Sequence, residues 1–157
     1  MSPEHQLNNI ESWRAIEAFI ERSPDNETWT WWRIFARRFA GEGVRLGLNR
    51  YFRAGQSHHA LTFSTQPDAS YRRNEPKVFV HLRPENELVI GYSTMSPSRQ
   101  LEYLLPFDQG FPTFRRFLHQ LWTNTMPEGI PADLRGPIAP LVAPILTHSR
   151  TPRGLIG

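Results

Sequence analysis

Apolar residues recur at helical spacing over residues 8–22, where Ile10, Trp13, Ile16 and Ile20 share one face and Phe19 widens it. Ser23-Pro24 ends that run, because the residue before a proline is disfavoured in the helical region. Asp25 or Asn26 is the expected cap of a second helix, with Glu27 in its positive first turn. This helix is predicted to reach about Ala40, with Ile34, Phe35 and Phe39 toward a core, and to stop at Gly41-Glu42-Gly43.

The period then changes to two. Val44, Leu46, Leu48 and Phe52 alternate with Arg45, Gly47, Asn49, Tyr51 and Arg53, which predicts a strand with one polar face and a bulge or end near Arg50. Ala54-Gly55-Gln56 is the expected turn into a second strand through His59, Leu61, Phe63 and Thr65. Residues 66–76 form a polar loop. A hairpin follows, with strands Lys77–Arg83 and Glu87–Ser93 around Pro84-Glu85-Asn86.

Ser96-Pro97 predicts the start of a helix over residues 97–105 carrying Leu101, Leu104 and Leu105, with serine as cap. Residues 107–111 are expected to be a loop. A last strong helix over 112–125 places Phe114, Phe117, Leu118, Leu121 and Trp122 on one stripe. Beyond Met126, Leu134, Ile138, Leu141, Val142 and Ile145 have helical spacing. Pro137, Pro140 and Pro144 interrupt it, so a short irregular helix or partly ordered tail is expected.

The expected fold is α+β: a single antiparallel four-stranded sheet with helices packed on one face. The expected organisation is an N-terminal helix extension (1–24), an α+β core (25–125) and a proline-rich C-terminal tail (126–157). Helices cover the apolar side, and the polar side, with Arg45, Tyr51, Arg53, Lys77, His81 and Arg83, is left free as a candidate binding surface.

Charge sharpens this. The net charge is +3, and the eighteen basic residues divide into 17 arginines and one lysine, Lys77. A planar guanidinium suits phosphate recognition and stacking; GC-rich coding gives the same bias without any function. There is no cysteine, which excludes disulfides, thiolate metal sites and cysteine nucleophiles. No apolar run approaches membrane-span length, and the polar, acidic start MSPEHQLNNIES is unlike a targeting peptide, so an intracellular chain is expected.

Enzyme chemistry finds little. His58 and His59 are adjacent, so on a strand they point to opposite faces and chelate one ion poorly. Asp68 with Glu75-Pro76-Lys77 has the carboxylates and lysine of a metal-dependent nuclease, but Pro76 weakens the strand that arrangement needs. There is no nucleophile elbow and no phosphate-binding glycine loop. The expectation is a non-enzyme with no cofactor and no metal site.

Three of the five tryptophans fall at 29, 31 and 32. Trp29 and Trp32 share a helix face; they are either core residues or an aromatic platform. Tryptophans stack on bases, and arginines on a sheet contact phosphates without reading sequence. The chain here resembles the tombusvirus nineteen-kilodalton RNA-silencing suppressor family. The resemblance rests on Trp29-Thr30-Trp31-Trp32-Arg33-Ile34, then Arg50-Tyr51-Phe52-Arg53 after Val44–Leu48, then the hairpin, then Ser98-Arg99-Gln100-Leu101-Glu102-Tyr103-Leu104. It covers roughly residues 25–122.

The resemblance implies a homodimer whose joined sheets cradle short double-stranded RNA without sequence preference, sequestering small interfering RNA in a host cytoplasm. Trp29 and Trp32 would cap the duplex ends. Arg33, Arg45, Arg50, Tyr51, Arg53, Lys77, His81, Arg83, Gly91 and Ser93 complete the implied RNA-binding set. Two positions where the family has small hydroxyl residues are Phe79 and Val89 here, and Trp31 is extra. The alternative is a non-catalytic protein-interaction module, an immunity or adaptor protein, with core tryptophans and solvated arginines; a metal-dependent nuclease is third.

Overall fold

Helix α1 spans Pro3–Arg22 in the computed structural model, which describes residues 1–67, 75–93, 100–134 and 146–150. The Ser2 hydroxyl caps it by accepting from the His5 amide at 3.1 Å, and Pro3 occupies the first turn. The predicted stripe is the buried one: Trp13, Ile16 and Ile20 join the core. The segment read as an extension is therefore part of the one hydrophobic core.

Helix α2 spans Glu27–Arg45, capped by Asn26, whose side chain accepts from the Trp29 amide at 3.0 Å. It runs past the glycines expected to stop it. Gly41 and Gly43 are helical, and Gly43 is needed for packing: a Cβ there would lie 2.6 Å from the Trp13 ring. The stop is Gly47, whose φ of 78° closes the helix in the left-handed region.

The strand expected over 44–53 is a second correction. Its first residues finish α2, and Leu48–Arg50 is a single 3-10 turn. The alternation misled because Val44 is exposed and Leu46 only half-buried. The residues that reach the core are Leu48, Tyr51 and Phe52, at spacings of three and four.

Strands β1 (Arg53–Ser57) and β2 (Ala60–Ser64) form a hairpin, so Ala54-Gly55-Gln56 is strand and the turn is His58-His59. Strands β3 (Lys77–Arg83) and β4 (Glu87–Ser93) form the second hairpin with the predicted bounds. Residues Gln100–Pro106, expected as a helix, are β5. Leu101, Tyr103 and Leu105 lie opposite Tyr92, Ile90 and Leu88, and Tyr103 and Leu105 share the face of their apolar partners. Ser96-Pro97 and Ser98-Arg99 lie outside the described residues.

The loop expected at 107–111 is the start of helix α3, Phe107–Thr125, which buries Phe114, Phe117, Leu118, Leu121 and Trp122 as predicted. In the tail, Ala132–Leu134 is a 3-10 turn, and Leu146–Arg150 is β6, antiparallel to β5. Ile138, Leu141, Val142 and Ile145 lie outside the described residues.

The architecture is thus α+β, with one antiparallel sheet ordered β1-β2-β3-β4-β5-β6; among the described residues it has six strands where four were expected. The helices pack on one side. Trp13 meets Phe63 at 5.3 Å between ring centroids, Phe63 meets Phe114 at 4.8 Å, and Tyr103 meets Phe117 at 5.4 Å. Helix α1 also lies along the margin before and within β1. Asn9 Nδ2 donates to the Arg50 carbonyl (2.9 Å), Trp13 Nε1 to the Phe52 carbonyl (2.7 Å), and the Ala54 amide donates to Ser12 Oγ (2.8 Å).

Candidate interaction face of the sheet

Alternation along the strands decides what the opposite face carries. In β3, Val78, Val80 and Leu82 go to the core, which leaves Lys77, Phe79, His81 and Arg83 outward. Their partners on β4 are Ser93, Gly91, Val89 and Glu87. Gly91 and Val89 in turn face Glu102 and Leu104 on β5, while Thr62 and Ala60 on β2 face Phe79 and His81. Arg53 and Gly55 continue this face onto β1, opposite Ser64 and Thr62. Among the described residues no helix lies across it; α2 borders it through Trp31.

Six residues of the sequence-derived set therefore share one face: Arg53, Lys77, His81, Arg83, Gly91 and Ser93. The other six are elsewhere. Trp32 is 0% exposed, and its Nε1 donates to the His59 carbonyl at 3.0 Å. It is a core residue, where an end-stacking role needs an open ring. Trp29 is half-buried in an edge-on cluster, with ring centroids 5.2 Å from Trp32 and 5.9 Å from Phe19. Arg33 fastens the end of α1 through Ser23 Oγ (2.9 Å), the Pro24 carbonyl (3.2 Å) and Asp25 (3.1 Å). Arg45 is helical and pairs with Glu42, so it is on no strand. Arg50 sits in the 3-10 turn, and Tyr51 is buried with its hydroxyl 2.8 Å from Asp133. Burial and that carboxylate push the Tyr51 phenol above its ordinary value.

The feature that sequence reasoning missed is the Trp31 end of the face. His59, in the β1–β2 turn, lies with its ring tilted between those of Trp29 (centroids 4.4 Å, 58°) and Trp31 (5.7 Å, 48°). Its carbonyl accepts from both Trp32 Nε1 and the Leu82 amide, which ties α2 to the sheet. Beside it runs a groove of about 420 Å³ walled by Trp31, His59, Phe79, His81, Val89 and Leu104, with Arg83 and Pro84 at its rim. Trp31, Phe79, Val89 and Leu104 are all only half-buried. Gly91 makes room for Phe79: a Cβ there would meet the ring at 2.1 Å. The Trp window alone could not say which tryptophan stays open. Leu104 was hidden by the expected helix.

A second hollow, about 580 Å³, lies between Ser12 of α1 and the β1–β2 end of the face. Its lining is polar, with Gln56, Ser57, Thr62 and Lys77 beside an ion pair between Arg53 and Glu75 at 2.7 Å. That pair is largely covered, at 14% and 9% exposure, and Arg53 also donates to Ser64 Oγ at 2.8 Å.

Electrostatically the face is balanced. Arg53, Lys77 and Arg83 stand against Glu75, Glu87 and Glu102. Burial first, then the charges of His59 and Arg83, hold the His81 imidazole below its ordinary value, with Glu102 pulling the other way. Burial also lowers His59. Asp68 lies outside the described residues, and among those described no three His, Asp or Glu side chains are grouped to hold a metal ion. No described helix is long and apolar enough to cross a membrane. Comparison with protein-family models, curated proteins and solved structures finds no match to this chain.

Proposed function

We propose that this chain is a non-catalytic interaction module that binds a protein partner through the face of its sheet that no described helix covers. The observation that carries this is the groove at the Trp31 end, where four large apolar side chains stand half-open on a face that no described helix covers. Contiguous apolar surface rimmed by polar groups is where protein partners seat, and an aromatic anchor contributes most of the binding energy in such places. Of the five arginines in the sequence-derived set, Arg33 is committed to the end of α1 and Arg53 to Glu75, while Arg45 pairs with Glu42 on the helix surface, off the sheet.

A second reading is sequence-independent binding of short double-stranded RNA by a homodimer, the silencing-suppressor function that the resemblance implies. Its support is that Arg53, Lys77, His81, Arg83, Gly91 and Ser93 share this face with Trp31 at its end. Against it stand three acids among three cations, because phosphate neutralisation dominates nucleic-acid affinity.

Selection from a random displayed-peptide library, with counter-selection on a Val89→Arg variant, tests the first reading. Sequences enriched by the parent protein and lost on the variant support it; no enrichment overturns it. A gel-shift series with RNA duplexes of graded length, single strands and DNA, at two salt concentrations, tests the second. A sharp length optimum on duplex RNA, lost in a Lys77→Glu, Arg83→Glu double variant, would install RNA as the ligand.

A further inference from the structure

The groove has a charge pattern as well as an apolar floor. Of the charged residues lining it, Arg83 is exposed, and His81 is exposed beside it. The acid in the lining, Glu102, is only 6% exposed. Glu87 stands across from Arg83 at the strand end, outside the groove lining; within the lining itself a carboxylate meets the Arg83 guanidinium and the His81 imidazole, and the one acid there is covered. The groove, about 420 Å³, has room for an apolar side chain and its neighbours. Phe79 lies down over Gly91, which opens space between Trp31, Val89 and Leu104 rather than filling it. Trp31 forms one wall with its ring held by His59, which is itself fixed by two hydrogen bonds to its carbonyl. A pre-set aromatic wall loses little side-chain freedom on binding, which favours it as an anchor.

From this geometry we infer that the groove takes a linear acidic segment: one aliphatic or aromatic side chain seated against Trp31, with flanking carboxylates on Arg83 and His81. The inference rests on the protein-binding reading above and names the class of partner. Opposite charge across such a rim sets partner choice and association rate more than total affinity. The preference for acid therefore weakens as salt rises, whereas the apolar anchor is indifferent to salt.

The test uses three end-blocked, fluorescein-labelled nonapeptides read by anisotropy against the whole chain. One has a central leucine flanked by glutamates, the second has lysines in place of the glutamates, and the third keeps the glutamates but has alanine at the centre. The glutamate–leucine peptide is expected to bind at least about tenfold tighter than either of the others at low salt. Arg83→Glu should reverse the order of the first two. Trp31→Ala should cost the leucine peptide about tenfold. Leu104→Arg blocks the same groove from the sheet side and serves as a second variant should Trp31→Ala fold poorly. Equal or tighter binding of the lysine peptide overturns the inference, as does a preference that Arg83→Glu leaves unchanged. Enrichment of neutral or basic sequences in the library selection would retain the protein-binding face and remove only the acidic specificity. An empty selection removes both.

Discussion

Replacing Trp32 with alanine separates a core residue from a ligand platform. The ring is wholly covered, packs edge-on at 5.8 Å from Phe19 and 5.2 Å from Trp29, and donates to the His59 carbonyl. Truncating a fully buried aromatic residue costs about 3–5 kcal/mol, the spread reflecting how far the site collapses. The Leu82 amide still reaches the His59 carbonyl after the substitution, so the lost hydrogen bond adds only about 1 kcal/mol within that range. For a chain of 157 residues, each kcal/mol moves the melting temperature by roughly 2–4 °C, which gives a fall of roughly 6–20 °C. Trp32→Phe keeps most of the packing and should lose about 1–2 kcal/mol. Trp29→Ala, at a half-buried ring, should fall between wild type and Trp32→Ala. Thermal melts by circular dichroism, repeated as guanidinium titrations with fixed m-value, read all three. A Trp32→Ala protein melting within about 2 °C of wild type would refute the assignment of this ring to the core.

Gly43→Ala should destabilise by about 1–2 kcal/mol although alanine is the better helix former, because the Trp13 ring it meets is pinned by the Phe52 carbonyl and by Phe63. Equilibrium unfolding checks this, and a more stable variant would show that Trp13 can move. Arg53→Met strands Glu75 in a largely covered site and should cost about 3 kcal/mol, while Arg50→Met, whose Asp133 contact is a loose 3.9 Å, should leave stability within about 0.5 kcal/mol. Urea titration of the pair distinguishes them; equal effects would discard the distinction. Burial lowers the imidazoles of His5, His59, His81 and His119 below 6.5, so the native state binds fewer protons than the unfolded chain just below neutral pH. Stability should therefore fall as pH drops from about 7.5 toward 5.5, and melting temperatures that rise over that range would contradict the assigned burial.

The parts legible from sequence were those with one consistent period and a clear terminus. The β3–β4 hairpin combined strict alternation with a turn at Pro84-Glu85-Asn86, and α1 combined a four-residue stripe with Ser23-Pro24. Where two periods fit the same residues, the wrong one was read. Val44 to Phe52 alternates in composition, yet tertiary packing selects Leu48, Tyr51 and Phe52, a helical set. In Gln100–Pro106 the leucines at 101, 104 and 105 suit a helix, while Leu101, Tyr103 and Leu105 suit a strand. Nothing local chooses; the apolar row of β4 beside it does. The glycines at 41 and 43 show the same limit, since a glycine kept for a neighbouring ring looks like one kept for a stop. The site was half legible. Alternation fixes the outward residues of β3 and β4, whereas the open tryptophan depends on where the His58-His59 turn comes to rest.

Three hydrogen bonds, two donated by Asn9 and Trp13 and one accepted by Ser12, tie helix α1 to the backbone at residues 50, 52 and 54, across the turn before β1 and into its start. Helix α1 thus covers the entry to β1 with side chains, where a further strand would use backbone. Unpaired backbone groups at a sheet margin are a template for pairing with another chain, and α1 occupies three of them here. A fragment beginning after Arg22 would lose more than core volume. It would bare the carbonyls of Arg50 and Phe52 and the amide of Ala54 together, and its expected fate in solution is polymerisation rather than a smaller folded monomer.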